Sequence, residues 1–389
     1  MPSIMPIFGT RPEAIKMAPI VIGLQESGLF ECITTVTGQH RQMLDQVIEL
    51  FGITPQYDLN ILQPGQTLSE IMTRTIDGLN TVFEDRKPDA VLVQGDTTTT
   101  TAASIAAFYR GIPVIHAEAG LRSGDLLSPF PEEANRKITS QITSLHLAPT
   151  STSRQNLIAE GILAPDIVVT GNTVIDALIA TLGQDIRFTD PRLEDLATSG
   201  RTILLVTTHR RENQGGAMLN IGRALARIAD AEPDLVIVLP AHKNPVVREA
   251  VLPFIEGKSN VVITEPLAYG EFTRMLSLAH IVLTDSGGVQ EEAPSLGKPV
   301  LVMRENTERP EAVAAGTVRL VGTAEERIVA EVSTLLHDQD AFAVMANAVN
   351  PYGDGRAAER SVAAIAAYFQ LGDRLPDFGL APQLETTRT

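Results

Sequence analysis

Three carboxylates follow predicted strand ends in the first half of the chain. Asp96 and Glu118 each come shortly after an apolar run, and Glu132 lies in a polar segment further on. Because the carboxyl ends of parallel strands meet at one edge of a sheet, we expect these side chains to lie close together. Mutual repulsion in such a cluster raises the pKa of one carboxyl while another stays ionised, which is the pattern of a general acid–base set.

Each of these carboxylates also has a structural interpretation when it is taken alone. Asp96 fits the N-cap of a helix that begins in the threonine run 97–101, and Glu132 fits a first helical turn. Glu118 fits an ordinary polar loop residue. Catalysis is the better hypothesis only if all three side chains reach the same edge of the sheet.

A second cluster surrounds the DSGG sequence at residues 285–288. The apolar run 281–283 predicts a buried strand, and the glycines after it begin a helical pattern. Glycines let backbone N–H groups approach an anion, and a helix N-terminus adds positive partial charge, so this turn is predicted to hold a phosphate. Glu292, one helical turn further on, is a candidate partner for a ribose diol. The alternative is an ordinary tight turn with Glu291 and Glu292 exposed to solvent.

Basic side chains near these turns supply charge for an anionic ligand. His209 follows another predicted strand end beside two arginines, which favours contact with a phosphate or leaving group. Arg11 and Lys16 lie near the first predicted strand, and Arg309 lies in the second half of the chain.

The composition narrows the class of protein. The chain has 389 residues, 44% hydrophobic and 20% charged, which is typical of a globular protein with two or three domains. A net charge of −16 without a basic block argues against nucleic-acid binding. We expect no membrane span, since no apolar run approaches ~18 residues, and no secretory signal. A single cysteine, Cys32, fits the reducing cytoplasm.

Cofactor motifs are missing from the sequence. No His, Cys and Asp cluster has zinc spacing. No G-x-G-x-x-G opens either half of the chain, and neither a nucleophile elbow nor a P-loop occurs. We therefore expect neither a metal nor a nicotinamide cofactor.

Strands alternate with helices in two successive blocks. The predicted strands are residues 4–8, 32–37, 90–93, 113–116, 145–148 and 167–170, then 202–207, 235–239, 261–264, 281–284 and 300–303. Such alternation is typical of parallel sheets covered by helices on both faces. We predict an α/β protein with two Rossmann-like, doubly wound parallel-sheet domains and a ligand in the cleft between them.

The domain boundaries follow from the same alternation. They are residues 1–171 for the first domain, 172–354 for the second, 355–371 for a last helix packed back on the first domain, and 372–389 for a flexible tail. Residues 184–200 have weak periodicity and are interpreted as a linker. Pro6 lies inside the first strand and predicts a local irregularity, because proline cannot donate a ladder hydrogen bond.

Long stretches of the chain resemble the non-hydrolysing UDP-N-acetylglucosamine 2-epimerases, from residue 4 to about 370. They are FGTRPEAIK at 8–16, GQHR at 38–41, GDTTT at 95–99, HAEAGLR at 116–122, PEEANR at 131–136, GNTVID at 171–176, THRRE at 208–212, DSGG at 285–288, EEAPSLGKP at 291–299 and ERPE at 308–311. The resemblance implies a glycosyltransferase-B-like homodimer that interconverts UDP-GlcNAc and UDP-ManNAc without NAD or metal. It also implies a role in supplying precursors of bacterial surface polysaccharide.

The resemblance also implies roles for individual residues. The implied catalytic residues are Asp96, Glu118, Glu132 and His209. The implied binding residues are Arg11, Ser286, Gly287 and Gly288 for the diphosphate, Glu292 for the ribose, Phe272 and the backbone of Leu267 for the uracil, and Lys16 and Arg309 for further contacts. Some family members are activated by their own substrate through positions that match Gln39, His40 and Gln42, although Gly65 here replaces an arginine of activated members.

The chemistry implied by the family is elimination of UDP to 2-acetamidoglucal, followed by re-addition with the proton delivered to the other face. Three alternatives share much of the sequence pattern. They are a 2-epimerase of a UDP-diacetamido uronic acid, a glycosyltransferase of similar fold, and a nucleotide-sugar sensor without turnover. The sequence leaves open which carboxylate takes the proton from which epimer.

Overall fold

The computed structural model describes residues 1–39, 41–210, 213, 215–307 and 309–379. The chain forms two compact units, of which unit 1 is Met1–Ala177 with the chain from Tyr352 onward, and unit 2 is Leu178–Pro351. Each unit contains a parallel sheet with helices between its strands, so the predicted fold class of two parallel-sheet α/β domains is confirmed. None of the helices in the described ranges has the length and apolar character needed to cross a bilayer.

Unit 1 is built on an eight-stranded parallel sheet, counted over its described residues. Its strands are β1 Ser3–Phe8, β2 Glu31–Cys32, β3 Thr35–Val36, β4 Tyr57–Asp58, β5 Ala90–Gln94, β6 Val114–Ala117, β7 Leu145–Ala148 and β8 Ile167–Val169. Its helices up to the boundary are α1 Arg11–Glu26, α2 Arg41–Leu50, α3 Leu68–Asp85, α4 Thr98–Tyr109, α5 Glu132–Gln141, α6 Ser151–Ala159 and α7 Thr173–Leu182. The strand order is β4-β3-β1-β5-β6-β7-β8, with β2 also beside β1. Strands β1, β5 and β6 are buried along their whole length, which explains their continuous apolar sequences.

Pro6 interrupts the pairing on one side of β1. The strand pairs with β2 at Ser3 and Ile4, and with β3 at Ile7 and Phe8, but the pairing breaks opposite Pro6. Proline has no N–H to donate, so the ladder cannot continue there. The predicted irregularity is confirmed, and the single strand predicted at 32–37 is in fact two short strands.

Unit 2 repeats the architecture with six parallel strands in the part that the structure describes. Its strands are β9 Ile203–Thr207, β10 Val236–Pro240, β11 Val261–Thr264, β12 Ile281–Thr284, β13 Val300–Val302 and β14 Val318–Leu320. Its helices are α8 Pro191–Thr198, α9 Gly216–Ala231, α10 Pro245–Ile255, α11 Tyr269–Leu278, α12 Gly287–Glu292, α13 Pro310–Ala314, α14 Glu325–His337 and α15 Gln339–Ala346. The order β11-β10-β9-β12-β13-β14 places β9 and β12 side by side at the centre. Sequence analysis missed β14, because a three-residue edge strand carries almost no periodicity.

The interpretation of residues 184–200 as a linker is wrong for α8. Asp190 caps this helix by accepting a hydrogen bond from the Arg192 N–H at 3.0 Å. Leu193 and Leu196 are buried three residues apart on one face. Two buried leucines are enough to anchor a short helix, although they leave little periodicity to detect.

The last helix, α16 Ala357–Tyr368, belongs to unit 1 and packs against α1. Asp176 accepts hydrogen bonds from the first N–H groups of α16, at 3.2 Å from Ala357 and 2.8 Å from Ala358. Within the predicted tail 372–389, the Phe378 N–H donates to the Val169 carbonyl at 2.7 Å, so this part is held along β8 rather than free. The rest of that prediction lies outside the described residues.

Candidate active site

Glu118 directly follows β6 and has an unusual backbone for a residue with a side chain. Its φ of +60° lies in the left-handed region. Lys16 of α1 forms an ion pair with Oε1, and the Gln94 amide donates to Oε2 at 2.6 Å. The Asn172 amide approaches Oε1 at 3.4 Å. A partly buried carboxylate held in a rare conformation by several partners is typical of a functional position rather than of an ordinary loop residue.

Asp96 lies in the turn after β5, where Arg136 of α5 fixes its carboxylate. The guanidinium donates to Oδ2 from Nε at 2.9 Å, and a second guanidinium nitrogen lies 2.6 Å from the same oxygen. The N-cap of α4 is Thr97, whose hydroxyl accepts the Thr100 N–H at 3.1 Å. The interpretation of Asp96 as a helix cap is therefore wrong, because the next residue takes that role.

Glu132 is the first residue of α5 and shares a helix face with Asn135 and Arg136. Both of these residues contact Asp96, the former through its amide to the main-chain carbonyl at 2.9 Å. The Oε2 atom of Glu132 is buried and has no hydrogen-bond partner among the described residues. Because buried polar atoms are normally satisfied, this oxygen is a good candidate to exchange a proton with a ligand.

Glu13 connects the loop of Gly9 and Thr10, just before α1, to the turn that follows β5, and sequence analysis missed it. This buried carboxylate accepts four hydrogen bonds of 2.6 to 3.1 Å, from the N–H groups of Gly9 and Thr10 and the hydroxyls of Thr97 and Thr100. Burial raises the pKa of Glu13, and these hydrogen bonds oppose that effect. The signal was available, since a threonine followed three residues later by a glutamate is a capping box.

The residues implied as allosteric are only partly described by the structure. Gln39 accepts a hydrogen bond from the Thr99 hydroxyl at 2.9 Å, and Gln42 is exposed in the first turn of α2. His40 lies outside the described residues. A side chain at Gly9 would place its Cβ 1.9 Å from the Thr37 hydroxyl, so the backbone after β1 is tightly packed here.

Asp285 organises the carboxyl edge of unit 2, and sequence analysis gave it no role. It is fully buried after β12, and the register of Thr284 with Thr207 places it beside the loop that follows β9. Its carboxylate accepts the N–H groups of His209 and Arg210 at 3.0 to 3.1 Å and lies 3.1 Å from Nδ1 of His209. Burial alone would raise the pKa of Asp285, but the hydrogen bonds and charge of His209 hold it below its ordinary value.

The turn Ser286–Gly288 combines a packed glycine with an open one. A Cβ at Gly287 would lie 2.9 Å from the guanidinium of Arg309, whose Nε donates to Glu291 at 2.7 Å. A Cβ at Gly288 would meet no atom of the described residues within 4 Å. The backbone of this turn is therefore accessible beside a fixed cation, as an anion site requires.

Glu292 and the side chains near it are more buried than a solvated face would be. Glu292 is 7% exposed and accepts a hydrogen bond from the Tyr269 hydroxyl at 3.1 Å, while Glu291 is 2% exposed. The alternative in which both glutamates face solvent is wrong. Phe272 of α11 and Leu267, just before that helix, are both half-buried.

The two units carry different chemistry at their sheet edges. Unit 1 presents carboxylates paired with basic side chains, and unit 2 presents an imidazole, a glycine turn and an arginine. Over the ranges that the structure describes, no group of three or more His, Cys, Asp or Glu side chains is placed to hold a metal ion. The fold and these groups define the protein as a two-domain α/β enzyme of the glycosyltransferase-B-like kind.

Comparison with known proteins narrows this class. The sequence model of the family described as UDP-N-acetylglucosamine 2-epimerase matches residues 23–366. The UDP-N-acetylglucosamine 2-epimerase of Salmonella typhimurium is 54% identical over 371 residues, covering 94% of this chain and 98% of that protein. The chain therefore belongs to the UDP-N-acetylglucosamine 2-epimerase family, whose members are isomerases.

Solved structures agree with this assignment. The UDP-GlcNAc 2-epimerase of Neisseria meningitidis, solved with UDP-GlcNAc bound, has a TM-score of 0.85 and 48% identity, covering 95% of this chain and 99% of that one. The glycotransferase of kitacinnamycin has a TM-score of 0.61 and 13% identity, covering 95% of this chain and 98% of that one. The second likeness shows the fold alone.

Proposed function

We propose that this protein interconverts UDP-N-acetylglucosamine and UDP-N-acetylmannosamine by epimerisation at carbon 2 of the sugar. Family membership along almost the whole chain supports the substrate and the reaction class. The observation that carries the proposal is the pair of carboxylates on one sheet edge of unit 1, Glu118 held by Lys16 and Asp96 held by Arg136. Such a pair supplies positioned groups for proton transfer.

The reaction proceeds by elimination and re-addition, because the hydrogen on carbon 2 is not next to a carbonyl and enolisation is unavailable. A carboxylate takes this proton while the bond from carbon 1 to the diphosphate oxygen breaks, and its electron pair leaves with UDP. The intermediate is 2-acetamidoglucal. Inversion then requires a second group that returns a proton from the opposite face. Asp96, Glu118 and Glu132 are the proposed acid–base groups.

The nucleotide part of the substrate is proposed to bind mainly to residues of unit 2, together with Arg11 and Lys16 of unit 1. The turn of Ser286, Gly287 and Gly288 is proposed to bind the diphosphate with Arg11, and Arg309 and Lys16 are proposed to add positive charge. Glu292 is proposed to bind the ribose hydroxyls.

The remaining part of the nucleotide and the leaving group complete the proposed site. Phe272 and the backbone of Leu267 are proposed to hold the uracil. His209 is proposed to act at the leaving diphosphate oxygen.

The experiment that tests this function is turnover of UDP-GlcNAc in deuterated water without an acceptor. We expect UDP-ManNAc to form and deuterium to appear at carbon 2 in both epimers, as followed by NMR and mass spectrometry. Binding without deuterium uptake would indicate a sensor, and turnover only with an acceptor would indicate a glycosyltransferase. A panel of UDP-sugars that favoured a diacetamido uronic acid would change the substrate but keep the mechanism.

The physiological setting is part of the same proposal. The protein is proposed to work as a homodimer in the cytoplasm, which agrees with its single cysteine, Cys32. It would supply N-acetylmannosamine-type precursors for surface polysaccharide. Substrate activation through Gln39, His40 and Gln42 would appear as a sigmoidal dependence of rate on UDP-GlcNAc concentration.

A further inference from the structure

The two oxygens of Asp285 face different sets of donors. Oδ2 accepts the hydroxyl of Thr208 and the N–H of Arg210, both at 3.0 Å. It also accepts the Asn213 amide at 3.2 Å. Oδ1 lies 3.1 Å from Nδ1 of His209, and the main-chain N–H of His209 is shared between both oxygens. One oxygen therefore holds the loop, and the other is available to the imidazole.

This arrangement selects one tautomer of His209. A carboxylate oxygen only accepts hydrogen bonds, so Nδ1 must carry the proton, which leaves the lone pair of the neutral ring on Nε2. The ring of His242 stacks against that of His209 with centroids 5.8 Å apart and an interplanar angle of 28°. His209 keeps 39% of its side chain exposed, so the ring is oriented without being enclosed.

We propose that Asp285 is a positioning residue that fixes the His209 ring so that its Nε2 serves the departing diphosphate. This inference rests on the proposed function. In the imidazolium form, Nε2–H donates its proton to the diphosphate oxygen as that oxygen receives the electron pair of the broken bond to carbon 1. The neutral ring takes the proton back on re-addition, and Asp285 stabilises the ring in its charged form before elimination and after re-addition.

The substitution Asp285→Asn tests this role, because the two carboxylate oxygens of Asp285 face different hydrogen-bond donors. The amide oxygen is expected to stay with Thr208, Arg210 and Asn213, which keeps the loop in place. The amide NH₂ then faces Nδ1 of His209 and donates to it. The proton of the neutral ring moves to Nε2, and the tautomer is reversed with little change in shape.

The readouts are histidine tautomer and steady-state kinetics. Nitrogen-15 NMR of histidine-labelled protein, recorded at a pH high enough to keep the imidazole rings neutral and assigned by comparison with His209→Gln, should show Nδ1–H in the natural protein and Nε2–H in Asp285→Asn. The kcat of Asp285→Asn should fall by roughly 10²-fold or more, with KM changed by less than about threefold. The matched control Asn213→Ala removes a donor from Oδ2 and a hydrogen bond to the Met303 carbonyl, but it leaves Oδ1 facing the imidazole and should keep the Nδ1–H tautomer.

Each outcome decides one statement. A folded Asp285→Asn protein with kcat within about threefold of the natural protein would overturn the positioning role. If that variant does not fold, the spectrum of the natural protein decides, and an Nε2–H tautomer there would overturn it as well. The Nδ1–H tautomer in a protein that turns over no UDP-sugar would overturn the proposed function and leave the orientation of the ring by Asp285 standing.

Discussion

Asp96, Glu118 and Glu132 differ in the partners that hold them. Glu118 contacts an ammonium and an amide, Asp96 contacts a guanidinium, and Oε2 of Glu132 is buried without a hydrogen-bond partner in the described chain. These differences determine how replacing each carboxylate by an uncharged side chain affects its neighbours. An amide in place of either paired carboxylate keeps the shape but loses the charge that the neighbouring cation was placed to meet.

The variants Asp96→Asn and Glu118→Gln should separate catalysis from nucleotide binding. We expect turnover to fall by roughly 10²-fold or more, the usual scale for loss of a general acid or base. The affinity for UDP should stay nearly unchanged, because neither carboxylate is proposed to contact the nucleotide. Glu292→Gln should show the opposite pattern, with weaker UDP binding and a smaller effect on turnover at saturation. Turnover and UDP affinity are measured on the same three proteins.

A stability control distinguishes lost chemistry from lost structure. Thr67→Ala removes the cap of α3, away from the candidate site, and should lower stability by ~0.5–2 kcal/mol while turnover stays high. Normal turnover in both carboxylate variants would show that Asp96 and Glu118 are not the acid–base pair.

Gly288→Val should weaken UDP binding without disturbing the fold. The space around its Cβ is open among the described atoms, and the φ of Gly288 is not positive, so valine fits the free protein. The branched side chain then blocks approach of a diphosphate to the backbone, which should cost at least ~1.4 kcal/mol, or tenfold in affinity by calorimetry. The control Gly372→Val has equally open surroundings in unit 1 and should bind UDP normally. Unchanged UDP affinity in Gly288→Val would remove this turn from the site.

At the scale of elements, β6 and β7 place two histidines side by side in the core of unit 1. His116 pairs in register with His146, and both are fully buried. Nε2 of His116 lies 2.7 Å from the carbonyl of Gly95, whereas neither nitrogen of His146 has a partner in the described part of the chain. Burial lowers the pKa of His116 to about 4 and that of His146 to about 3. Both histidines are therefore neutral in the folded protein at neutral pH.

His146→Leu should make the protein less sensitive to acid. Both folded-state pKa values are below the ordinary value of 6.5, so protons bind only to the unfolded chain between that pH and about 4. The contribution of the two neutral histidines to the free energy of unfolding is complete above pH 6.5. It decreases as the pH is lowered, with a slope approaching about 1.4 kcal/mol per pH unit for each histidine. In His146→Leu the slope of the unfolding free energy against pH should therefore decrease by up to the contribution of one histidine. The measurement is urea unfolding at a series of pH values between 6.5 and about 4.

The control for this prediction lies in the same strand. Leu147→Val alters the packing of β7 without removing a titratable group, so it should lower the unfolding free energy by a similar amount at every pH. A pH dependence in His146→Leu equal to that of the natural protein would contradict the role given to this histidine.

At the scale of the whole molecule, activity should need neither a divalent metal nor added NAD. The chain contains no zinc spacing and no dinucleotide fingerprint, and the proposed elimination needs only acid–base groups and a leaving-group site. Turnover is measured after dialysis against EDTA and without nicotinamide cofactor. Loss of activity that a divalent ion restored would contradict this prediction.

The protein should behave as a dimer of about twice its chain mass of 41.8 kDa in light scattering. Phe108 and Tyr109 at the end of α4 are large exposed side chains with ring centroids 6.4 Å apart, the kind of pair that interfaces enrich. The double substitution of both residues by serine should shift the protein toward the monomer. Leu163→Ser, at another exposed apolar residue, is the matched control and should leave the dimer intact. A natural protein of single-chain mass would contradict the proposed homodimer.

The alternation of apolar runs and amphipathic stretches was sufficient to predict two parallel-sheet α/β domains. Burial periodicity is a local property, so it can be read from neighbouring residues, and it also indicated that Asp96, Glu118 and His209 follow strand ends. Periodicity did not predict the short strands β4 and β14 or the helix α8. It also did not show that the predicted strand 32–37 divides into β2 and β3 opposite Pro6. These elements depend on pairing and on a few long-range contacts rather than on a repeating pattern.

The partners of the candidate site were decided only by the tertiary structure. Asp285 meets donors that lie 72 to 77 residues earlier in the chain, because the strand order places β9 and β12 together. Glu13 likewise joins α1 to α4 across 84 to 87 residues. The sequence determined which residue types stand at the strand ends. The order of strands in each sheet decides which of these residues are in contact. It brings Asp285 to His209 and Glu13 to the turn after β5, and no local sequence pattern encodes that order.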